Sequence, residues 1–179
     1  MLDRQQAVLV VVDVQGKLAQ LMHEKQALFA NLKSLIRGIR ALDIPVLWAE
    51  QNPRGLGPTV AEIAAELEGM EPIAKMSFSC WQNETFAKAL AAAGRNQVLI
   101  AGIEAHMCVY QTAQDLTAAG YEVQVVADAV SSRRPESKAL ALQKLRDAGV
   151  SITSVEMTLF ELLKVAEGKM FKNILEIVK

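Results

Sequence analysis

The stretch that decides the fold is QVLIAGIEAHMCVYQTA, from Gln97 to Ala113. It begins with an apolar run, passes through Glu104, His106 and Cys108, and ends in a segment of helical period. An uninterrupted apolar run ahead of a helix is typical of a strand buried on both faces of a parallel sheet. The stretch therefore predicts a strand, a turn and a helix, with a cysteine where the helix begins.

The same alternation recurs along the whole chain. Short apolar runs are separated by longer segments with apolar residues at i, i+3 and i+4 spacing, which indicates a doubly wound, mostly parallel α/β sheet. The predicted strands cover residues 7–13, 45–50, 71–75, 97–102, 122–128 and 150–155, and the predicted helices cover 27–43, 84–94, 109–120 and 136–149.

Bulk composition excludes several classes of protein. A length of 179 residues fits one domain, 1–179, and a net charge of −1 gives no reason to expect a nucleic-acid partner. No apolar stretch approaches the ~20 residues that cross a bilayer, so no membrane partner is expected. Two cysteines without a signal peptide favour reduced thiols and a cytoplasmic location.

The tail, residues 164–179, is predicted to be an amphipathic helix. Phe171, Ile174, Leu175 and Val178 fall on one side of it. Two interpretations stay open: this side packs on its own domain, or it contacts another protomer.

Three residues at predicted strand ends form a candidate catalytic set: Asp13, Lys75 and Cys108. Ligands of parallel sheets bind beyond the carboxyl ends of the strands. A catalytic cysteine acts as a thiolate, and a helix N-terminus and Lys75 would both lower the pKa of Cys108 from ~8.5, with Asp13 as general base. These residues converge only if the strand order brings their ends together. The alternative is that Cys108 is a packed core thiol.

Four motifs resemble the isochorismatase-like cysteine hydrolases, and most closely the isochorismatase-domain-containing proteins. They are DVQ at 13–15, PVLWAEQNPRGLG at 45–57, a lysine shortly before SFS at 77–79, and GIEAHMCVYQTAQDLTAAGYEVQVVADAV at 102–130. The similarity runs from about Leu9 to Leu163, nearly the whole chain. Its most specific part is the block that contains the cysteine.

The resemblance implies a three-layer α/β/α fold around a six-stranded, mostly parallel sheet, with an Asp-Lys-Cys triad. Carried over by motif, the triad is Asp13, Lys75 and Cys108. The family also has a cis peptide bond, here Ile103–Glu104, so that the backbone N–H groups of Glu104 and Cys108 would form an oxyanion hole.

The resemblance also implies the chemistry of the substrate. Family members that hydrolyse vinyl ethers typically lack the cysteine, so its presence favours cleavage of an amide or related C–N bond of a small molecule. Nicotinamidases carry two histidines after the second strand, whereas EQNPRGLG contains none, and we expect neither a metal nor a cofactor. Two alternatives stay open: a catalytically silent binding protein, or a vinyl-ether hydrolase.

Six further residues are candidates for substrate binding, because they follow strand ends or line the predicted loops. The six candidates are Gln15, Glu50, Gln51, Phe78, Trp81 and His106.

The family resemblance also implies a homo-oligomer in which a neighbouring protomer borders the pocket.

Overall fold

The computed structural model describes residues 1–179 and contains one six-stranded sheet in the order β3-β2-β1-β4-β5-β6. All five strand pairs are parallel. The strands are β1 Ala7–Val12, β2 Val46–Gln51, β3 Ile73–Lys75, β4 Gln97–Ile103, β5 Glu122–Ser131 and β6 Ser151–Thr153. The predicted fold class is confirmed, and each predicted strand is present.

Nine α-helices connect and flank the strands. They are α1 Gly16–Gln20, α2 Lys25–Ala41, α3 Pro53–Leu56, α4 Ala61–Ala64, α5 Glu84–Ala93, α6 Tyr110–Ala118, α7 Pro135–Asp147, α8 Val155–Leu163 and α9 Gly168–Val178. A π-helical turn, Ala105–Val109, precedes α6. The sequence analysis did not predict α1, α3, α4 or α8. The first three are four or five residues long, too short to show a helical period.

Alternate residues of β1 point to opposite faces of the sheet, and each face has its own core. Leu9 and Val11 pack under α2, α8 and α9, whereas Val8 and Val10 pack under α5, α6 and α7. A strand covered on both faces has no polar face. This explains why AVLVVV contains only apolar residues.

The C-terminal helix α9 rests partly on its own chain. Ile174 is fully buried against the α2 face, and Ser34 Oγ donates a hydrogen bond to the carbonyl of Ile177 at 3.1 Å. Phe171 and Leu175 are only half-buried. The packing interpretation therefore accounts for Ile174 and for Val178, which packs partly buried on the same core, and a protomer contact through Phe171 and Leu175 stays a prediction. No helix of the chain is both long and apolar enough to cross a membrane.

Strand register brings the candidate residues to one edge of the sheet. Val12 pairs with Ala49 on one side and with Gly102 on the other, so β1 ends between β2 and β4. Gly102 has φ +116°, and a Cβ there would collide with the carbonyl oxygen of Val12. The connection after β1 runs to β2 and the connection after β4 runs to β5, in opposite directions, and such a switch point is where ligands of doubly wound sheets bind.

Candidate active site

A buried ion pair forms the base of the candidate site. Asp13 follows β1 with φ +51°, and Lys75 ends β3; they are 1% and 2% exposed. Lys75 Nζ lies 2.7 Å from Asp13 Oδ2. Burial raises the pKa of Asp13, although the nearby Lys75 charge and the Cys108 thiol oppose this rise. Asp13 Oδ1 is buried and has no hydrogen-bond partner, so it is the oxygen free to accept a proton.

The ammonium of Lys75 is fully occupied by four acceptors. Besides Asp13 Oδ2, these are Gln51 Oε1 at 2.8 Å and the carbonyls of Ser77 and Phe78, each at 3.1 Å. An ammonium has three N–H donors, so none is left for a ligand. Lys75 can orient Asp13 and supply positive charge, but it has no spare donor to contact substrate.

Cys108 lies in the π-helical turn and reaches the same edge of the sheet. Its Sγ is 3.9 Å from Gln51 Oε1, and the residue is 8% exposed. Burial, and next the negative charge of Asp13, raise the pKa of the thiol, and the Lys75 charge opposes this only in part. The predicted lowering of the pKa of Cys108 is therefore wrong, because burial outweighs the favourable charges. The resting group is a thiol beside a carboxylate.

A small cavity of about 90 Å³ opens beside the thiol. Its polar lining comes from Asp13, Gln51, Glu104 and Cys108. Its apolar lining contains the predicted Phe78 and four residues that the sequence analysis missed: Leu18, Leu56, Ile103 and Met107. The sequence carried a weak signal for two of these four, since Leu18 and Leu56 follow the ends of β1 and β2.

Glu104 has two separate roles in this geometry. Its peptide bond to Ile103 is cis, and the residue lines the cavity. Its buried carboxylate accepts hydrogen bonds from the backbone N–H of Arg133, at 3.0 Å, and from Arg133 Nε, at 3.1 Å. Arg133 thus balances the charge of the carboxylate and binds it to the segment after β5. This contact fixes the backbone of Glu104 next to the cavity. No sequence pattern indicates this ion pair.

Four of the six predicted substrate-binding residues lie outside the cavity. The amide of Gln15 is fully buried and bonds the backbone of Gln51 and the carbonyl of Gly57. The carboxylate of Glu50 accepts hydrogen bonds from the N–H and the hydroxyl of Thr59. Both side chains hold the loop after β2, and the amide of Gln15 has no group left for a ligand. They are not part of the site proposed below.

Trp81, the third of these residues, packs edge-on against Tyr121, with ring centroids 5.7 Å apart. Its ring covers the core on the α6 face of the sheet, so it also lies outside the cavity.

His106 turns away from Cys108. Its Nδ1 is 2.9 Å from Ser132 Oγ, and the residue lines a second cavity together with Arg133, Arg134 and Ser137. His106 and Cys108, two residues apart in the π-helical turn, therefore face different cavities. No three His, Cys, Asp or Glu side chains are grouped so that they could hold a metal ion.

With this geometry described, comparison with known proteins identifies the family. The isochorismatase domain matches residues 7–157. The chain belongs to the isochorismatase family. It is similar to isochorismatase domain-containing protein 2 of Danio rerio, at 38% identity over 168 residues, covering 94% of this chain and 84% of the relative. The predicted resemblance to this family and subgroup is confirmed.

Solved structures of the family have the same fold. The structure of MAR1 ribonuclease from Caenorhabditis elegans superposes with a TM-score of 0.92 at 32% identity, covering 99% of this chain and 91% of that chain. The product of the ycaC gene of Escherichia coli, an octameric hydrolase of unknown specificity, superposes with a TM-score of 0.90 at 26% identity, covering 98% and 91%. Membership of this family supports a hydrolase activity.

Proposed function

We propose that the protein hydrolyses an amide or related C–N bond of a small molecule, with Cys108 as nucleophile, Asp13 as general base and acid, and Lys75 as the cation that orders them. The observation that carries this proposal is the free Oδ1 of Asp13, on a carboxylate that Lys75 anchors at 2.7 Å beside the Cys108 thiol. Burial raises the pKa of this carboxylate, which makes it a better acceptor for the thiol proton than an exposed carboxylate.

The first half of the reaction would acylate the cysteine. Asp13 accepts the thiol proton as Cys108 Sγ attacks the carbonyl carbon, so that a neutral thiol and a carboxylate become a protonated acid and a C–S bond. The backbone N–H groups of Glu104 and Cys108 would stabilise the oxyanion. Collapse of this intermediate breaks the C–N bond, and Asp13 returns the proton to the leaving nitrogen.

The second half would release the acid. With the amine gone, Asp13 is again a carboxylate and takes a proton from a water molecule. The resulting hydroxide attacks the thioester carbonyl, the C–S bond breaks, and the proton on Asp13 returns to the sulfur. Lys75 keeps its four acceptors throughout and so holds Asp13 in place during both proton transfers.

The size of the cavity limits the group that would be cleaved. At about 90 Å³ the cavity is smaller than the ~300 Å³ at which small-molecule sites usually start. We therefore expect the group that reaches Cys108 to be a small amide. The half-exposed ring of Phe78 forms the apolar wall at its mouth.

Assembly and location belong to the same proposal. The E. coli relative is described as octameric, and we propose that this chain also forms a homo-oligomer, to be measured by light scattering during size-exclusion chromatography. The cytoplasmic location stays a prediction.

The test compares the two cysteines of the chain. Small amides are screened against the wild type, and the best substrate is assayed with Cys108→Ala and with the matched control Cys80→Ala. Cys80 is buried and lies outside the cavity. We expect loss of turnover by a factor of about 10³ or more in Cys108→Ala only, because the nucleophile is removed. Wild-type turnover by Cys108→Ala would exclude the mechanism.

One observation favours a second candidate, a catalytically silent binding protein. The raised pKa of Cys108 means that the thiolate is scarce at rest, as in an unreactive thiol. Mass spectrometry after rapid acid quenching separates the two: an acyl adduct on Cys108 supports the hydrolase. A substrate that is turned over equally by Cys108→Ala and without an adduct indicates the vinyl-ether chemistry instead.

A further inference from the structure

A second cavity, larger and more polar than the one beside Cys108, lies at the end of β5 and the start of α7. Its volume is about 360 Å³, and its lining residues are His106, Arg133, Arg134 and Ser137. Small-molecule sites in proteins start at ~300 Å³. None of the lining residues is acidic or apolar, so the cavity is suited to a ligand with negative charge.

The arginines of this cavity differ in how they are held. Glu104 binds the backbone N–H and Nε of Arg133, which leaves Nη1 and Nη2 without partners. The guanidinium is thereby fixed along one edge, with its two outer nitrogens free. The guanidinium of Arg134 has no hydrogen bond and no ion pair. The charge of Arg133 is balanced by Glu104, whereas the charge of Arg134 is not.

Two further polar groups complete the lining. His106 Nδ1 lies 2.9 Å from Ser132 Oγ and 4.0 Å from Glu104 Oε2, so Nε2 is its free ring nitrogen, and it is a donor when Nδ1 accepts from the hydroxyl. The hydroxyl of Ser137 makes no hydrogen bond within the chain. The nearest acidic residue along α7, Glu136, is exposed and does not line the cavity. Free donors and one unbalanced positive charge thus surround a single space.

We propose that this cavity binds a small oxyanion, a phosphate or a carboxylate, with Arg134 as the principal cation and the outer edge of Arg133, His106 and Ser137 as further donors. Planar guanidinium groups bind both kinds of oxyanion through paired N–H donors. The site is separate from the cavity of Cys108, which neither arginine lines. Glu104 connects the two, because it lines one cavity and holds an arginine of the other.

Binding of inorganic phosphate tests the site directly. Line broadening of the phosphate signal in ³¹P NMR, at low ionic strength, is measured for the wild type, Arg134→Gln and Arg146→Gln. Arg146 is the matched control, since it is exposed on the same helix and outside the cavity. We expect about tenfold weaker binding in Arg134→Gln only, because a charged hydrogen-bond donor is lost. Absence of binding in the wild type, or equal binding in all three, overturns the proposal.

The source of the oxyanion is then found from turnover, and this step alone rests on the proposed function. The KM of Arg134→Gln is compared for a neutral amide and for the same amide with a carboxylate. A rise in KM for the acidic amide only means that the substrate carries the oxyanion. Unchanged KM for both means that a free anion binds. Phosphate binding is measured without turnover, and we expect it to be normal in Cys108→Ala. The oxyanion site can therefore be tested even if the hydrolase proposal fails.

Discussion

Cys80 and Cys108 are the two cysteines of the chain, and the regions around them differ in structure. Both thiols are buried, and burial raises the pKa of both, that of Cys80 to about 12. Only Cys108 lines a cavity, and it shares that cavity with the free oxygen of Asp13. What distinguishes the candidate nucleophile is therefore a base and an open space next to the sulfur, and not a low pKa at rest.

The largest effect is expected when the base next to Cys108 is removed. In Asp13→Asn the negative charge that helps to raise the pKa of Cys108 is gone while Lys75 stays, so the pKa falls. We expect faster alkylation of Cys108 by iodoacetamide at pH 8, yet turnover reduced by a factor of about 10³, because the thiol proton has no acceptor. Peptide mass spectrometry and the amide assay measure the two effects.

Asp115→Asn is the matched control for Asp13→Asn, since Asp115 is an acid on α6 that accepts a hydrogen bond from Gln82 outside the cavity. Both rates should stay at the wild-type level in this variant. Cys80 should stay unmodified in all three proteins because it is 0% exposed. Slower alkylation of Cys108 in Asp13→Asn would contradict the charge argument.

The second expected effect is a loss of folding stability at alkaline pH, and Cys80 causes it. In the unfolded chain this thiol loses its proton above its ordinary pKa of 9.0, whereas in the folded chain it keeps the proton up to about 12. The unfolded state therefore binds fewer protons between these values, and the folded state loses stability as pH rises. By pH 10.5 the loss from this group is about 2 kcal/mol.

Urea unfolding of the wild type and Cys80→Ala, from pH 8 to pH 10.5, measures this loss. Other groups titrate in the same range in both proteins, so the difference between the two curves isolates Cys80. We expect the wild-type curve to fall more steeply, and parallel curves would exclude the assigned burial effect.

The fold and the placement of the candidate triad could be predicted from the sequence. Both depend on the regular pattern of apolar residues that parallel strands require. Uninterrupted apolar runs mark strands covered on both faces, and Asp13 and Cys108 follow such runs, whereas Lys75 ends the short edge strand β3. Parallel strands end at one edge of a sheet, so residues distant in sequence converge there. The strand order, with β1 between β2 and β4, completes that convergence.

The details of the site could not be predicted because they depend on which partner each side chain finds. Gln15 follows β1, and Glu50 and Gln51 end β2, yet only Gln51 lines the cavity, while the other two bond backbone groups at and after the end of β2. Leucine and methionine such as Leu18 and Met107 look like core residues in a sequence. The pKa of Cys108 depends on burial, which no local pattern reports.

The smallest expected effect concerns Thr112, which lies one turn after Cys108 on α6. Its Oγ1 accepts a hydrogen bond from the backbone N–H of Cys80 at 2.9 Å, and both residues are fully buried. Thr112→Val keeps the shape of the side chain but leaves that N–H unpaired, which costs about 1–2 kcal/mol of unfolding free energy.

In Thr117→Val, the matched control for Thr112→Val, only a hydroxyl bonded to the carbonyl of Ala113 in the same helix is lost, and a smaller cost is expected. Turnover should be unchanged in both variants, since the Cys80 segment supports the helix but not the reaction. If turnover of Thr112→Val falls tenfold while its unfolding free energy stays at the wild-type value, the Cys80 segment acts on the site directly. The segments of Cys80 and Cys108 would then both act on the reaction, and the two cysteines would differ only in their distance from the cavity.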